Sequence, residues 1–82
     1  MQSPELRAIF RANLRARRRE LHLTQAAAAE RARITQAYWA QLEAGDRVPQ
    51  FDVIPALAEA LQTQPDALLS REIFSQTAID AV

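Results

Sequence analysis

The chain has 82 residues and a formal net charge of zero, which suits one small domain with a modest core. It has no cysteine and one histidine, so disulfides, thiolate metal sites and multi-histidine metal sites are excluded, and no cofactor or metal is expected. No apolar run approaches the ~20 residues that cross a bilayer, and no signal peptide is visible. We therefore expect a cytoplasmic protein with no membrane partner.

The charged residues are distributed unevenly along the chain. Residues 1–33 contain eight arginines and three glutamates, a net charge of +5. Residues 34–82 contain two arginines and seven acidic residues, a net charge of −5. A basic end and an acidic end are typical of a nucleic-acid-binding protein with a separate partner surface, but an ordinary dipolar surface gives the same pattern.

The first three predicted helices carry start or stop signals. Residues 3–5 combine a capping serine, a proline and an acid, and apolar residues then recur at helical spacing until about Leu21. Helix two is expected over residues 25–32 and helix three over residues 36–44. Gly45 suits the left-handed position that follows the last turn of helix three.

Two further helices and a tail complete the predicted fold. Helix four follows a loop at residues 46–49, and Pro65 can start a short helix five. The sequence has no strand-like alternation, so it predicts an all-α, compact five-helix domain over residues 1–70. The tail at residues 71–82 is expected to form an extra helix or part of a dimer contact.

Residues 24–45 are the most informative part of the chain, because they predict two short helices joined by a tight turn. Each helix opens with a threonine and a glutamine, at residues 24–25 and 35–36. A threonine hydroxyl can accept a hydrogen bond from an amide of the first helical turn. The glutamine then lies at the positively polarised helix end, and two such ends suit a phosphate backbone beside a row of base edges.

This segment resembles the helix-turn-helix of the lambdoid phage repressor/Cro family, also called the XRE type. The family pattern, roughly LTQ..LA...GVS...IS..E.G...P, is matched without a gap within residues 14–69. The matching positions are Leu23-Thr24-Gln25, Ala28-Ala29, Ile34-Thr35, Trp39-Ala40, Glu43, Gly45, Pro49, 57–61 and 65–69. The resemblance implies a lambda-repressor-like fold whose helix three enters the major groove of double-stranded DNA.

The resemblance also assigns roles to individual residues. The expected base contacts, in which glutamine can pair with adenine and alanine can touch a thymine methyl, are Gln36, Ala37 and Gln41. The expected phosphate contacts are Thr24, Gln25, Tyr38, Arg47, Arg15 and Arg11. Gln25 is also expected to bond Gln36, and Arg18 to pair with Glu43 and hold helix three at its angle. The alternative for each is an ordinary solvated or structural side chain.

Several residues depart from the family pattern, His22 and Ala28 among them, and three of the departures change a prediction. Arg33 stands where a glycine is usual, which predicts a reshaped turn between helices two and three. Pro55 falls inside helix four, which predicts either a late start, capped by Asp52, or a kink. Trp39 replaces an aliphatic residue; we expect it in the core, with a stacking platform for single strands as the alternative.

The sequence therefore predicts a transcriptional regulator that binds a near-palindromic operator as a homodimer, like a phage repressor or a restriction–modification controller protein. Helix five and the tail are the expected dimer surface. The alternative is a protein-interaction module such as an antitoxin, with DNA binding secondary; a toxin and RNA polymerase are the possible protein partners. No catalytic constellation can be assigned, so an enzyme is not expected.

Overall fold

The computed structural model describes residues 4–70, and this part of the chain forms four α-helices and two 3-10 segments without a strand. The elements are α1 (Pro4–Glu20), α2 (Gln25–Ala32), α3 (Gln36–Ala44), a 3-10 segment (Phe51–Val53), α4 (Ile54–Ala60) and a second 3-10 segment (Pro65–Leu69). The all-α prediction is confirmed, as are the bounds of helices two and three. The predicted tail at residues 71–82 lies outside the described residues. No helix within residues 4–70 is long and apolar enough to cross a membrane.

The five-helix count is wrong, because the expected fifth helix is a 3-10 segment of five residues. The buried side chain of Asn13 on α1 donates hydrogen bonds to carbonyl groups at the end of this segment. Its Nδ2 atom lies 3.0 Å from the Leu68 carbonyl oxygen and 2.7 Å from that of Ser70. These bonds satisfy carbonyls that a longer helix would have used, and they fix the segment against α1.

The core lies where α1, α3, α4 and the second 3-10 segment meet. The large side chains that are fully buried there are Trp39, Leu14, Leu42, Leu57, Leu61 and Leu68. The core position of Trp39 is therefore confirmed. Helix α2 contributes the buried residues Ala28, Ala29 and Ala32, whose small side chains let its backbone approach the neighbouring helices closely.

Local hydrogen bonds explain why α2 and α3 begin where the sequence predicts. The Thr24 hydroxyl accepts a bond from the Ala27 amide, and the Thr35 hydroxyl accepts one from the Tyr38 amide, each at 3.0 Å. At the other end of α3, Gly45 adopts a φ of 85°, and its amide donates to carbonyls of the last turn. Both ends of the helix-turn-helix pair are thus set by neighbouring residues.

The turn between α2 and α3 is not reshaped, because Arg33 itself adopts the left-handed conformation. Its φ is 61° and its ψ is 40°, and its amide donates to the carbonyls of Ala29 and Glu30. His22 has a φ of 59° in the turn after α1. The glycine-type geometry is retained at the energetic cost that a side chain incurs in this region.

Replacing Arg33 by glycine is therefore expected to stabilise the fold by about 0.5–1 kcal/mol, because relief of the left-handed strain exceeds the added entropy of the unfolded chain. Urea unfolding of both proteins measures the change. The matched control is Arg31→Gly in the last turn of α2, which should destabilise the fold by a similar amount. An Arg33→Gly protein that loses stability would show that the side chain contributes more than its strain costs.

Of the two expectations for Pro55, a late start of helix four or a kink, the structure shows the late start. Helix α4 begins at Ile54, which places Pro55 in its first turn, where the missing amide removes no helical hydrogen bond. Asp52 lies in the preceding 3-10 segment, and α4 has no side-chain cap, so the expected capping role of Asp52 is wrong.

Candidate nucleic-acid interface

Helix α3 has one buried face and one face open to solvent. Trp39 and Leu42 are buried, while Gln36 and Ala37 are exposed and Gln41 is partly exposed. The expected base-contacting residues therefore lie on the accessible side of the helix. Helix α2 packs against α3, so the two helices form one helix-turn-helix unit that includes the N-terminus of α2.

Glu43 in the last turn of α3 accepts hydrogen bonds from residues of α1, α2 and α3. Its side chain is 5% exposed. Arg18 of α1 donates from Nε to Oε2 at 2.6 Å and from Nη2 to Oε1 at 3.0 Å. Gln25 at the start of α2 donates from Nε2 to Oε1 at 3.1 Å, and the indole N–H of Trp39 donates to Oε2. One carboxylate thus joins α1, α2 and α3.

These contacts keep both members of the ion pair charged. Burial alone would raise the pKa of Glu43, but the hydrogen bonds from Arg18, Trp39 and Gln25 outweigh it, and the net pKa is lowered. The bond to Glu43 raises the pKa of Arg18. Arg18 also donates to the Leu23 carbonyl oxygen at 2.8 Å, which fixes the turn that leads into α2.

Gln25 does not form the expected bond to Gln36 among the described residues. Its amide instead donates to Glu43, because an ionised carboxylate is a stronger acceptor than a neutral amide oxygen. Gln25 is half-buried and Thr24 is exposed, so the start of α2 remains accessible beside α3.

Two adjoining surface hollows, here together called the basic groove, lie between α1 and the end of α3. Its charged lining residues are Arg11, Arg15, Arg18, Arg19 and Glu43, and its small ones are Ala12, Ala16, Ala40 and Ala44. Gln25 also lines it at the end near α2. Because Arg18 balances Glu43, the three other arginines give the groove a positive charge. The alanines leave room for a bulky anion.

Arg11 forms a hydrogen bond that the sequence did not predict. Its Nη1 atom donates to the Ala44 carbonyl oxygen at 3.1 Å, and Arg7 donates to the Gly45 carbonyl oxygen at 3.4 Å. Both arginines thus place positive charge at the C-terminus of α3, where unpaired carbonyls accumulate. A Cβ atom at Gly45 would meet the end of the flexible, exposed Arg11 side chain, which can move aside, so the positive φ is the constraint that favours glycine there.

The loop after α3 folds back along that helix. The Gln50 amide donates to the Tyr38 hydroxyl at 3.3 Å, and the Arg47 guanidinium lies 5.8 Å from the centre of the Tyr38 ring. Tyr38 is half-buried, which agrees with the alternative of a partly structural aromatic, while Arg47 is exposed beside it. Tyr38 and Arg47, which are both expected phosphate contacts, therefore lie next to each other.

Arg17 has a structural role that sequence reasoning missed. Its Nε donates to the Leu61 carbonyl oxygen at 2.9 Å and its Nη2 to that of Gln62 at 3.1 Å, at the end of α4. Successive helical residues point about 100° apart, so the run of Arg17, Arg18 and Arg19 must face three directions. The sequence could therefore have indicated three different roles for these arginines. Arg17 contacts the end of α4, Arg18 contacts Glu43 and Arg19 lines the basic groove.

Two capped helices joined by a left-handed turn, with an open polar face on the second, define a helix-turn-helix. The model of the helix-turn-helix domain family matches residues 9–71. The chain belongs to this family. It is a DNA-binding transcriptional regulator, and its family is one of DNA-binding proteins rather than of enzymes.

Solved structures show the same fold. The DNA-binding domain of the P22 C2 repressor, residues 1–76, is 30% identical over 80% of this chain and 92% of its own, with a TM-score of 0.70. The clp gene regulator ClgR from Corynebacterium glutamicum is 25% identical over 94% of this chain and 96% of its own, with a TM-score of 0.74. Comparison with curated proteins gives no match.

Proposed function

We propose that the protein controls transcription as a homodimer that reads a near-palindromic operator through α3, as a phage-type repressor or a restriction–modification controller protein. The observation that carries the proposal is the open face of α3, with Gln36 and Gln41, beside the positively charged basic groove. Contacts to the base edges and electrostatic attraction to the DNA phosphates would thus come from adjoining surfaces of the protein.

In this proposal, Gln36, Ala37 and Gln41 contact base edges in the major groove. A glutamine amide both donates and accepts, which matches the N6 and N7 atoms of adenine, while the Ala37 methyl suits a thymine methyl. Gln36 is exposed in the first turn of α3, where a recognition helix of this kind approaches the bases.

The phosphate contacts are proposed around this helix. They are Thr24 and Gln25 at the start of α2, Tyr38 and Arg47 beside α3, and Arg15 and Arg11 along the basic groove. Arg11 has five guanidinium N–H groups in all, so its bond to Ala44 leaves donors for an anion. Arg15 is exposed and lines the groove without a hydrogen bond to other described residues.

The proposed dimer surface is formed by residues that come after α3 in the chain. Phe51 is 91% exposed. Together with Ile54, Pro55, Pro65 and Leu69, and with the acidic Asp66 beside them, it lines a largely apolar hollow, here called the apolar surface. Because Gln50 bonds to Tyr38, the adjacent Phe51 lies close to α3, so a second copy on this surface would bring two recognition helices onto one side of a duplex. The tail at residues 71–82, which follows Leu69 and Ser70 in the chain, is proposed to add to this contact.

Selection of bound sequences from a random duplex pool tests the proposal. We expect a near-palindromic motif with half-sites about one helical turn apart, ~34 Å. If the protein binds all sequences equally and added salt abolishes the binding, the basic groove attracts DNA only electrostatically and without sequence specificity. Absence of binding, together with capture of a small protein partner, would support the antitoxin alternative instead.

A further inference from the structure

The Trp39 side chain is buried in the apolar core, yet it carries one polar group, the indole N–H. The indole is fully buried, yet its N–H donates to Oε2 of Glu43, one helical turn further along α3. A phenylalanine could fill much of the same core volume. The N–H group therefore adds something that apolar packing does not supply.

The indole bond fixes the carboxylate relative to α3. Arg18 contacts both carboxylate oxygens and the Leu23 carbonyl, so its bonds hold Glu43 relative to α1 and to the turn before α2. The rigid indole adds a bond to Oε2 from α3 itself, which fixes the carboxylate relative to that helix. Oε1, which also accepts from Arg18, then faces Gln25, whose Nε2 lies 3.1 Å away.

The carboxylate in turn selects one orientation of the Gln25 amide. Because the amide nitrogen faces the negative charge, the amide oxygen must turn away from it; the reversed amide would place two acceptors together. One N–H of the amide then remains for a second acceptor at the end of the basic groove, which Gln25 lines.

We propose that Trp39 is a positioning residue for DNA recognition: through Glu43 it fixes the amide of Gln25 so that the second N–H meets a backbone phosphate of the duplex. This role rests on the proposed function. Trp39 itself, being fully buried, touches no DNA.

The test is Trp39→Phe, alone and combined with Gln25→Ala, on the full chain. We expect the pKa of Glu43 to rise and the Gln25 amide proton resonances to shift in the free protein. Affinity for the selected duplex should fall about fivefold per half-site, the usual effect of one hydrogen bond. The double variant should bind no more weakly than Gln25→Ala alone, because both changes remove the same contact.

Leu42→Val is the matched control, since it trims the buried face of the same helix without touching the polar contacts. It should leave the Gln25 resonances unchanged at a similar small loss of stability. If Trp39→Phe behaves like Leu42→Val, or if its effect on affinity adds to that of Gln25→Ala, the positioning role is overturned. Absence of duplex binding by the unchanged protein would overturn the proposed function, whereas the Gln25 resonances would still report on the contact itself. Should Trp39→Phe fail to fold, Glu43→Gln tests the contact between Glu43 and Gln25, with the Gln25 amide proton resonances and the duplex affinity as readouts.

Discussion

Replacing Glu43 by alanine is expected to destabilise the fold by about 3–5 kcal/mol, the usual effect of removing one partner of a buried ion pair. The side chain of Arg18 is only 12% exposed, so its charge would stay in the protein without a carboxylate. The indole N–H of Trp39 would lose its acceptor as well. Since small domains have a total stability of about 5–15 kcal/mol, urea unfolding should show a large fraction of it lost.

Glu59→Ala is the matched control, because Glu59 is an exposed acid on α4 and its removal should change stability by less than about 0.5 kcal/mol. A Glu43→Ala protein that is equally stable would show that α1 and α3 are held together by the apolar core alone. The same outcome would leave no structural reason for the shared carboxylate.

The contribution of Glu43 should also depend on pH. Its pKa is lower in the folded protein than the usual value of about 4.3, so in acid the unfolded chain binds more protons than the folded one. The stabilisation is therefore complete above that usual value and is lost as the pH falls through the lower folded-state pKa. The difference in unfolding free energy between the original protein and Glu43→Ala should narrow accordingly between pH 7 and pH 3.

Replacing Phe51 by aspartate is expected to weaken the proposed dimer by roughly a hundredfold or more. An aromatic side chain at the centre of an interface often contributes about 2 kcal/mol or more, and a two-fold interface contains it twice. Because Phe51 is 91% exposed, the change should leave the fold of each protomer intact. Sedimentation equilibrium measures the dissociation constant, and thermal unfolding checks the fold.

Phe51→Leu is the control, since it keeps an apolar side chain on the same surface and should retain most of the dimer. Operator binding should follow the same order, because a monomer can occupy only one half-site at a time. An aspartate variant that remains a tight dimer would place the interface elsewhere, with the tail at residues 71–82 as the next surface to change.

The helix-turn-helix could be predicted because its ends depend on neighbouring residues. Thr24, Thr35 and Gly45 each act on the adjacent turn, and all three positions are as expected. Asn13 and Arg17 could not be assigned in the same way, because the carbonyls they bind lie more than forty positions away in the chain. Their contacts depend on the packing of α1 against the second half of the domain.

The bond of Gln25 shows the same limit within the site. Gln25 and Gln36 are both helix-start glutamines, and the sequence alone suggests that they bond each other. Only the packing of α1, α2 and α3 brings Glu43 within 3.1 Å of Gln25, where its charge competes successfully. Arg33 is a different case: the position of the turn was predictable, but the acceptance of a left-handed φ of 61° by an arginine was not.

The central claim, that α3 reads bases, is tested most directly by repeating the duplex selection with Gln36→Ala at two salt concentrations. We expect a motif that loses base preference at two symmetric positions, with a discrimination of about 1–3 kcal/mol lost at each, while the salt dependence of binding is unchanged. An identical motif for both proteins would contradict base readout by Gln36, and a motif absent from both would contradict sequence-specific binding altogether.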